Sequence, residues 1–329
     1  MSRRTVLMGA IEQALRAPSV HNTQPWRWRI RSDGAELHAD WNRHLVATDP
    51  DRRDLVLSCG AALHHLQVAL AARGMAVQVR RMPDAEDRGH LATVAVRLGP
   101  ADAADAAQFR AIGSRRTDRR RMSHRPVPAD HLQALVEHAR RTGAQLLLMT
   151  DPAMRRRLTA TITDAAHRQE FAPGYAAELQ QWTRRYAAGR DGVSATTITA
   201  APVGLTGVSL LRRFPRGTLT QPRQAPGDGP ADDAAELLVI VTPHDDPLDW
   251  LHAGEATSAV LLAATGLGLT TTPLSQPLEV EATRHALRWD VLRVPEHPQL
   301  VVRVGWPVTG AAELPSTPRR DLRSVLLRL

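Results

Sequence analysis

Two short stretches of this chain carry more donors and acceptors than chain reversal requires. The first, APSVHNTQPW at residues 17–26, packs Ser19, His21, Asn22 and Gln24 between a helical segment and an extended one. One or two such residues satisfy a turn. Ser19 offers a hydroxyl, and Asn22 and Gln24 offer amide donors and carbonyl acceptors. Those groups suit the edge of a flat heterocycle. They equally suit the end of one element and the start of the next, with Pro25 stopping any helix. The second stretch, SRRTDRRRM at 114–122, is the densest basic cluster. In an extended segment Arg115, Thr117 and Arg119 point to one side. Guanidinium forks and a hydroxyl match phosphate oxygens, although a solvated basic run has the same composition.

Other chemistries find less support. The chain has no G-x-S-x-G and no H-E-x-x-H, so the serine-hydrolase and zinc-protease patterns are missing. Its single cysteine, Cys59, lies in an apolar helical stretch and reads as a buried inert thiol. His64 and His65 fall mid-helix and read as core or surface. Asp245, Asp246 and Asp249 precede or open a helix, where the helix dipole accounts for acidic residues. No metal site is expected.

The 329 residues suffice for one large or two medium domains, and 43% hydrophobic with 23% charged residues is a globular composition. All 42 basic residues are arginine, and the net charge is +8. The arginines are scattered among acids and aromatics are only 4%, which argues against nucleic acid and leaves room for a small anionic ligand. The longest apolar run, 259–269, is about half a membrane span, so no membrane partner is expected. Met1-Ser-Arg-Arg resembles the start of an export signal, but Glu12, Gln13 and Arg16 interrupt the apolar region that must follow. The cytoplasm is the expected location.

The elements that must position these residues repeat. Gly60 opens GAALHHLQVALAARG and Gly254 opens GEATSAVLLAATGLG; in both a second glycine follows after 14 residues and a proline stands 23 residues after the first. SRRT occurs at 2–5 and at 114–117. Helices are expected at 5–16, 53–73, 129–142, 153–170, 173–188, 248–267 and 279–287. Strands are expected at 26–31, 35–41, 76–81, 91–98, 144–149, 236–242, 269–273 and 299–304, the first two forming a hairpin. This mixture without βαβ alternation predicts α+β, and no G-x-G-x-x-G joins a strand to a helix. The repeats divide the chain into copies at 1–100 and 101–329. An insert at about 151–233, ending in a Gly/Pro/Thr-rich loop, reads as either a lid or a disordered segment.

Together the motifs resemble the nitroreductase family of FMN-binding proteins. APSVHNTQPW is similar to its Pro-Ser-Ser-x-Asn-x-Gln-Pro-Trp turn, with Val20 in place of the second serine. RRTDR at 115–119 is similar to its Arg-x-Ser-x-Arg phosphate segment. LVVRVGWP is similar to the family's terminal strand, and SVHNTQPW, RRTDRR, DDPLDWLHAGEA and TTPLSQP bring the chain nearest the internally duplicated, lid-bearing Acg-type branch. The resemblance implies a nitroreductase-like fold in which one chain mimics the family's homodimer, as a monomeric pseudo-dimer or weak homodimer with one complete FMN site. By that likeness Arg115, Arg116 and Thr117 hold phosphate and ribityl, and Arg119 lies near flavin N1. Pro18, Ser19, His21 and Asn22 reach the ring, Leu274 and Ser275 pass N5, and Arg319 and Arg320 assist at the phosphate. The flavin then carries the redox chemistry, with His21 a candidate proton donor. It implies hydride transfer from NAD(P)H to a small nitroaromatic or quinone acceptor. The alternative is a non-catalytic protein that sequesters flavin beneath the lid.

Overall fold

The computed structural model describes residues 2–97, 99–183, 189–199, 211–214, 217–219 and 235–327. Helix α1 (Arg3–Ala14) starts where the Ser2 hydroxyl accepts the Thr5 N–H. The hairpin β1 (Trp26–Ile30) and β2 (Gly34–Ala39) leads to the long helix α2 (Arg53–Ala71), then β3 (Ala76–Arg81) and β4 (His90–Arg97). Next come α3 (Ala103–Ser114), α4 (Ala129–Arg140), β5 (Gln145–Leu148), α5 (Pro152–Glu170) and α6 (Tyr175–Thr183). The chain continues through β6 (Glu236–Thr242), α7 (Pro247–Gly266), β7 (Thr270–Leu274), α8 (Gln276–Glu279), α9 (Glu281–Ala286) and β8 (His297–Gly305) to α10 (Leu322–Val325).

The fold is α+β, with two antiparallel sheets of like strand order, β1-β2-β4-β3 and β5-β6-β8-β7. Each has one long helix packed on its inner face, α2 or α7. Patterning explains why only one sheet is covered on both sides. In β1, Trp26, Trp28 and Ile30 are buried and Arg27 and Arg29 alternate outward, so one face stays wet. Strand β6 reads ELLVIVT and is buried almost throughout. Leu238 and Ile240 meet α4 and α7, whereas Leu237, Val239 and Val241 meet α5 and α8. Each large side chain so buried stabilises the fold by about 2–3 kcal/mol. Segments from outside each sheet also bond the edge strands β1 and β7. Leu327 N–H bonds the Trp28 carbonyl at 2.8 Å, and Asp118 N–H bonds the Thr271 carbonyl at 3.0 Å.

The two SRRT strings occupy unlike positions, contrary to the reading of them as equivalent. Ser2–Thr5 opens α1, whereas Ser114 ends α3 and Thr117 bridges to Thr271. The counterpart of α1 is α4. Helix α3 escaped sequence reading because its alanine-rich ADAADAAQF has no broad apolar stripe. Its only signal is the Asp102 side chain capping the Asp105 N–H. The helix expected at 279–287 is broken into α8, α9 and a π-helical turn at Leu287–Leu292. Residues 184–188 of the helix expected at 173–188 lie outside the described residues. Among the described residues, only α2 is long and apolar enough to cross a membrane, and it is core, 94% buried.

The two halves meet where α2 crosses α7 backbone to backbone. A Cβ on Gly60 would stand 2.2 Å from the Leu251 carbonyl oxygen, and one on Gly254 would stand 2.0 Å from that of Leu57. Gly60 and Gly254 are 194 residues apart, as are Leu57 and Leu251, so the contact is reciprocal. Beside it, Ser258 Oγ lies 2.8 Å from Nδ1 of both His64 and His65. Burial, then His138 and Arg141, lowers the His64 pKa to about 3.

Gly254→Ala is expected to cost about 3 kcal/mol, as an overpacked backbone contact, read as a lower urea midpoint. His64 titrates at about 6.5 when unfolded. Its neutral form is favoured in the fold, so the contribution is complete above pH 6.5 and is lost as pH falls toward 3. The stability of the native chain relative to His64→Gln should therefore decline over that window, by up to about 1.4 kcal/mol per pH unit.

Candidate functional site

The turn at 18–24 is held in a costly shape. His21, Asn22 and Gln24 take φ of 45°, 54° and 51°, left-handed values that cost a non-glycine residue about 1 kcal/mol each. Its braces come from far along the chain. Gln24 Nε2 donates to the Arg190 carbonyl at 2.7 Å, and its Oε1 accepts the Arg320 N–H at 2.8 Å. Asn22 Nδ2 donates to the carbonyls of Gly192 and Pro318, at 3.1 and 3.3 Å. Ser19 Oγ accepts the Gln24 N–H at 2.9 Å. Gln24 is fully buried, so it supports the turn and is not available to read a ligand's edge.

Helix α3 ends at Arg115 and releases an extended segment. Asp118 and Arg120 form a fork on one side, with N–O distances of 2.8 and 2.9 Å. Arg115, Thr117 and Arg119 face the other way, as alternation predicts, and Arg116 turns back to the Gly113 carbonyl. They face a cavity of about 570 Å³ between the two halves. All twelve residues singled out from sequence line it: Pro18, Ser19, His21 and Asn22 from the turn, Arg115, Arg116, Thr117 and Arg119 from the basic segment, Leu274 and Ser275 after β7, and Arg319 and Arg320 from the tail.

The cavity is electropositive. Among the described residues seven arginines line it, against the acids Glu12, Asp54 and Asp321. Arg115 has no partner for Nε or Nη1, and Nε of Arg116 and of Arg319 is likewise open. Burial, then Arg116, pulls the Arg115 pKa down to about 10; burial, then Arg115 and Arg116, pulls Arg319 to about 9. These groups remain cationic at neutral pH while lacking the anion that would stabilise them. Arg320 is spent elsewhere, on the Gln24 carbonyl at 3.1 Å and Asp40 at 3.4 Å.

At the other end Arg119 donates to the Thr197 carbonyl at 3.2 Å and lies 5.3 Å from the Phe214 ring centroid. Burial, then Arg212, lowers its pKa to about 10. His21 packs edge-on to Phe214 with centroids 5.6 Å apart, and neither ring nitrogen has a partner. Burial, then Arg212 and Arg119, holds its pKa well below the ordinary value. The ring is neutral, so it is not an acid of use near pH 7. Sequence reading missed Arg212, Phe214 and Asp54, all on this wall. Arg212 and Phe214 sit in the insert, whose local sequence carries no periodic signal. Arg212 pairs with buried Glu279 and bonds the Tyr175 hydroxyl at 2.8 Å. Much of the expected lid, 200–210, 215–216 and 220–234, lies outside the described residues.

The 194-residue relation locates the counterpart of this cavity. Lining residues Ser58, Ala61 and Ser275 correspond to His252, Glu255 and Arg81. There Arg81 clasps buried Glu255 at 2.6 and 2.9 Å, and Gln67 adds a bond at 2.7 Å. What is open on one side is filled by an ion pair on the other.

Residues 112–306 match the sequence model of the nitroreductase family. Over 324 residues the chain is 42% identical to Rv3131 of Mycobacterium tuberculosis, provisionally named an NAD(P)H nitroreductase, covering 98% of this chain and 90% of that one. It is 34% identical over 323 residues to acg of the same organism, named likewise, covering 97% and 95%. Among solved structures, the FMN- and NADPH-dependent nitroreductase NfnB of a Sphigopyxis strain overlaps 68% of this chain and 98% of its own, with 16% identity and a TM-score of 0.43. An FMN-bound nitroreductase of Desulfitobacterium hafniense covers the same shares, at 12% identity and a TM-score of 0.42. With its relatives matched nearly end to end and the family model over more than half its length, this chain belongs to the nitroreductase family.

Proposed function

We propose that the chain is an oxidoreductase holding one FMN between its halves, reduced by NAD(P)H and reoxidised by a small nitroaromatic or quinone. The observation that carries this is the Arg115 guanidinium, with Nε and Nη1 unpartnered, beside Arg319, whose Nε is open while its Nη atoms bond backbone carbonyls, at one end of a cavity of ligand size. Among the described residues no carboxylate pairs with either. A phosphate dianion supplies the missing charge through bidentate, charge-assisted bonds. Arg116 and Thr117 flank that end, and Arg119, at the other end, would supply positive charge of the kind that favours a reduced, anionic flavin ring. Ser19 and Val20 of the turn, with Pro273, Leu274 and Ser275, form walls for a flat ring. FMN supplies hydride transfer at N5; the protein orients it and keeps water out. We read the chain as a pseudo-dimer in which the Arg81–Glu255 pair occupies the second site of the family's dimer.

A second reading has one observation in its favour. Phe214 and Arg212 of the insert face the cavity; on this reading the insert covers a bound ring and sequesters it.

Purified protein should be yellow, and anaerobic NADH or NADPH should bleach it within seconds. Colour that persists until Phe214→Ala opens the wall would support sequestration, and a protein that gains no flavin bands in FMN would end both readings. Loss of one charge-assisted bond costs about 1.5–3 kcal/mol. Arg115→Ala and Arg119→Ala should therefore each weaken FMN about 10–100-fold by titration. Inorganic phosphate should raise the Tm of the apo-protein, and Arg115→Ala should remove that shift.

A further inference from the structure

Asp54 stands in the first turn of α2 and lines the cavity at 3% exposure. Neither of its carboxyl oxygens has a hydrogen-bond partner. Its acidic neighbours do not share that condition. Glu279 takes Arg212, the Ser275 hydroxyl at 2.6 Å and Gln169 Nε2 at 2.6 Å, and Asp49 accepts the N–H groups of Asp54 and Leu55 at 3.1 and 2.8 Å. A buried carboxyl left open in this way is costly unless it is neutral or meets a ligand.

The groups facing it are few. Glu279 comes from α8, Arg212 from the insert, Arg53 from α2 itself and Asp49 from the loop before α2. Ser275, after β7, faces it too, but its hydroxyl is committed to Glu279. Burial, then Glu279, pushes the Asp54 pKa up to about 7 against the pull of Arg53 and Arg212. The carboxyl can thus hold and release a proton near neutrality, the range in which general acids work best. His21, the other titratable group on this wall, stays neutral.

We infer that Asp54 is the proton donor to the acceptor reduced in this cavity. The inference rests on the flavin reading above. Reducing a quinone to a hydroquinone consumes one hydride and one proton. The hydride, with its electron pair, would come from NAD(P)H, and bound FMN would supply the chemistry of its transfer. The proton leaves the Asp54 carboxyl and bonds to the anionic quinone oxygen, and the carboxylate regains a proton from water. A nitro group becomes nitroso by the same count, one hydride and one proton, with water as the leaving group.

Two experiments test this. Acceptor-dependent kcat/KM, measured on flavin-loaded protein across pH 5–9, should fall above pH 7. Asp54→Asn should lower it about 100-fold and abolish that limb, with the loss concentrated in the acceptor half-reaction, and Asp54→Glu should restore part of it. In apo-protein, the stability of the native chain relative to Asp54→Asn should be greatest below pH 4 and be lost as pH rises to about 7, because a raised carboxyl pKa favours the protonated fold. A yellow, bleachable Asp54→Asn protein that keeps both rate and limb overturns the role of Asp54 alone. An apo-protein showing no such pH-dependent difference also overturns it, and a protein that never takes up FMN overturns both readings.

Discussion

Everything in this molecule is built around the approach of two backbones. Helices α2 and α7 cross so closely that neither Gly60 nor Gly254 has room for a β-carbon, and a close-packed interior does not yield to such a contact. That crossing brings residues of both helices to one cavity: Asp54, Ser58 and Ala61 from α2, and Thr257 from α7. It also fixes the separation of the two sheets, each packed against its own long helix.

A near-symmetric frame then carries unsymmetric side chains. At the position of Ala61 the other half has Glu255, and at that of Ser275 it has Arg81. A small residue leaves volume; a carboxylate and a guanidinium fill it and neutralise each other. Such a pair adds little net stability once desolvation is counted, so its main effect is to close the space. On the open side the balance reverses: arginines outnumber acids among the described lining residues, and burial makes that charge costly until an anion arrives.

The insert ties these parts together. Its helix α5 covers the outer face of the second sheet, which is why β6 is apolar on both sides. Its Arg212 is drawn to Glu279, and that pairing places a cation beside His21, Arg119 and Asp54. Burial, with that cation, keeps the histidine neutral, while burial and Glu279 raise the Asp54 pKa to about 7. Two titratable groups on one wall are pushed toward the same uncharged state, the basic one losing its proton and the acidic one keeping its own.

How much was legible beforehand divides along physical lines. Local features were: the strands of alternating or continuous apolar residues, the helices that carry Gly60 and Gly254, and the alternation that turns Arg115, Thr117 and Arg119 to one side. Each depends on backbone periodicity within a few residues. The over-furnished turn was legible as unusual, but the assignment of its side chains was not. Gln24 proved to be a brace because its partners, Arg190 and Arg320, lie about 170 and 300 residues away. SRRT misled because four residues in an arginine-rich chain match by composition, and α3 was missed because alanine marks helix without marking a face. By itself the sequence determined the element types, the basic segment and the family resemblance. Only the tertiary structure decided that the turn, the segment and the tail share one cavity, that its twin is filled, and that Asp54 is left without a partner. Burial and charge convergence depend on what lies across the core, and no short stretch of sequence carries that.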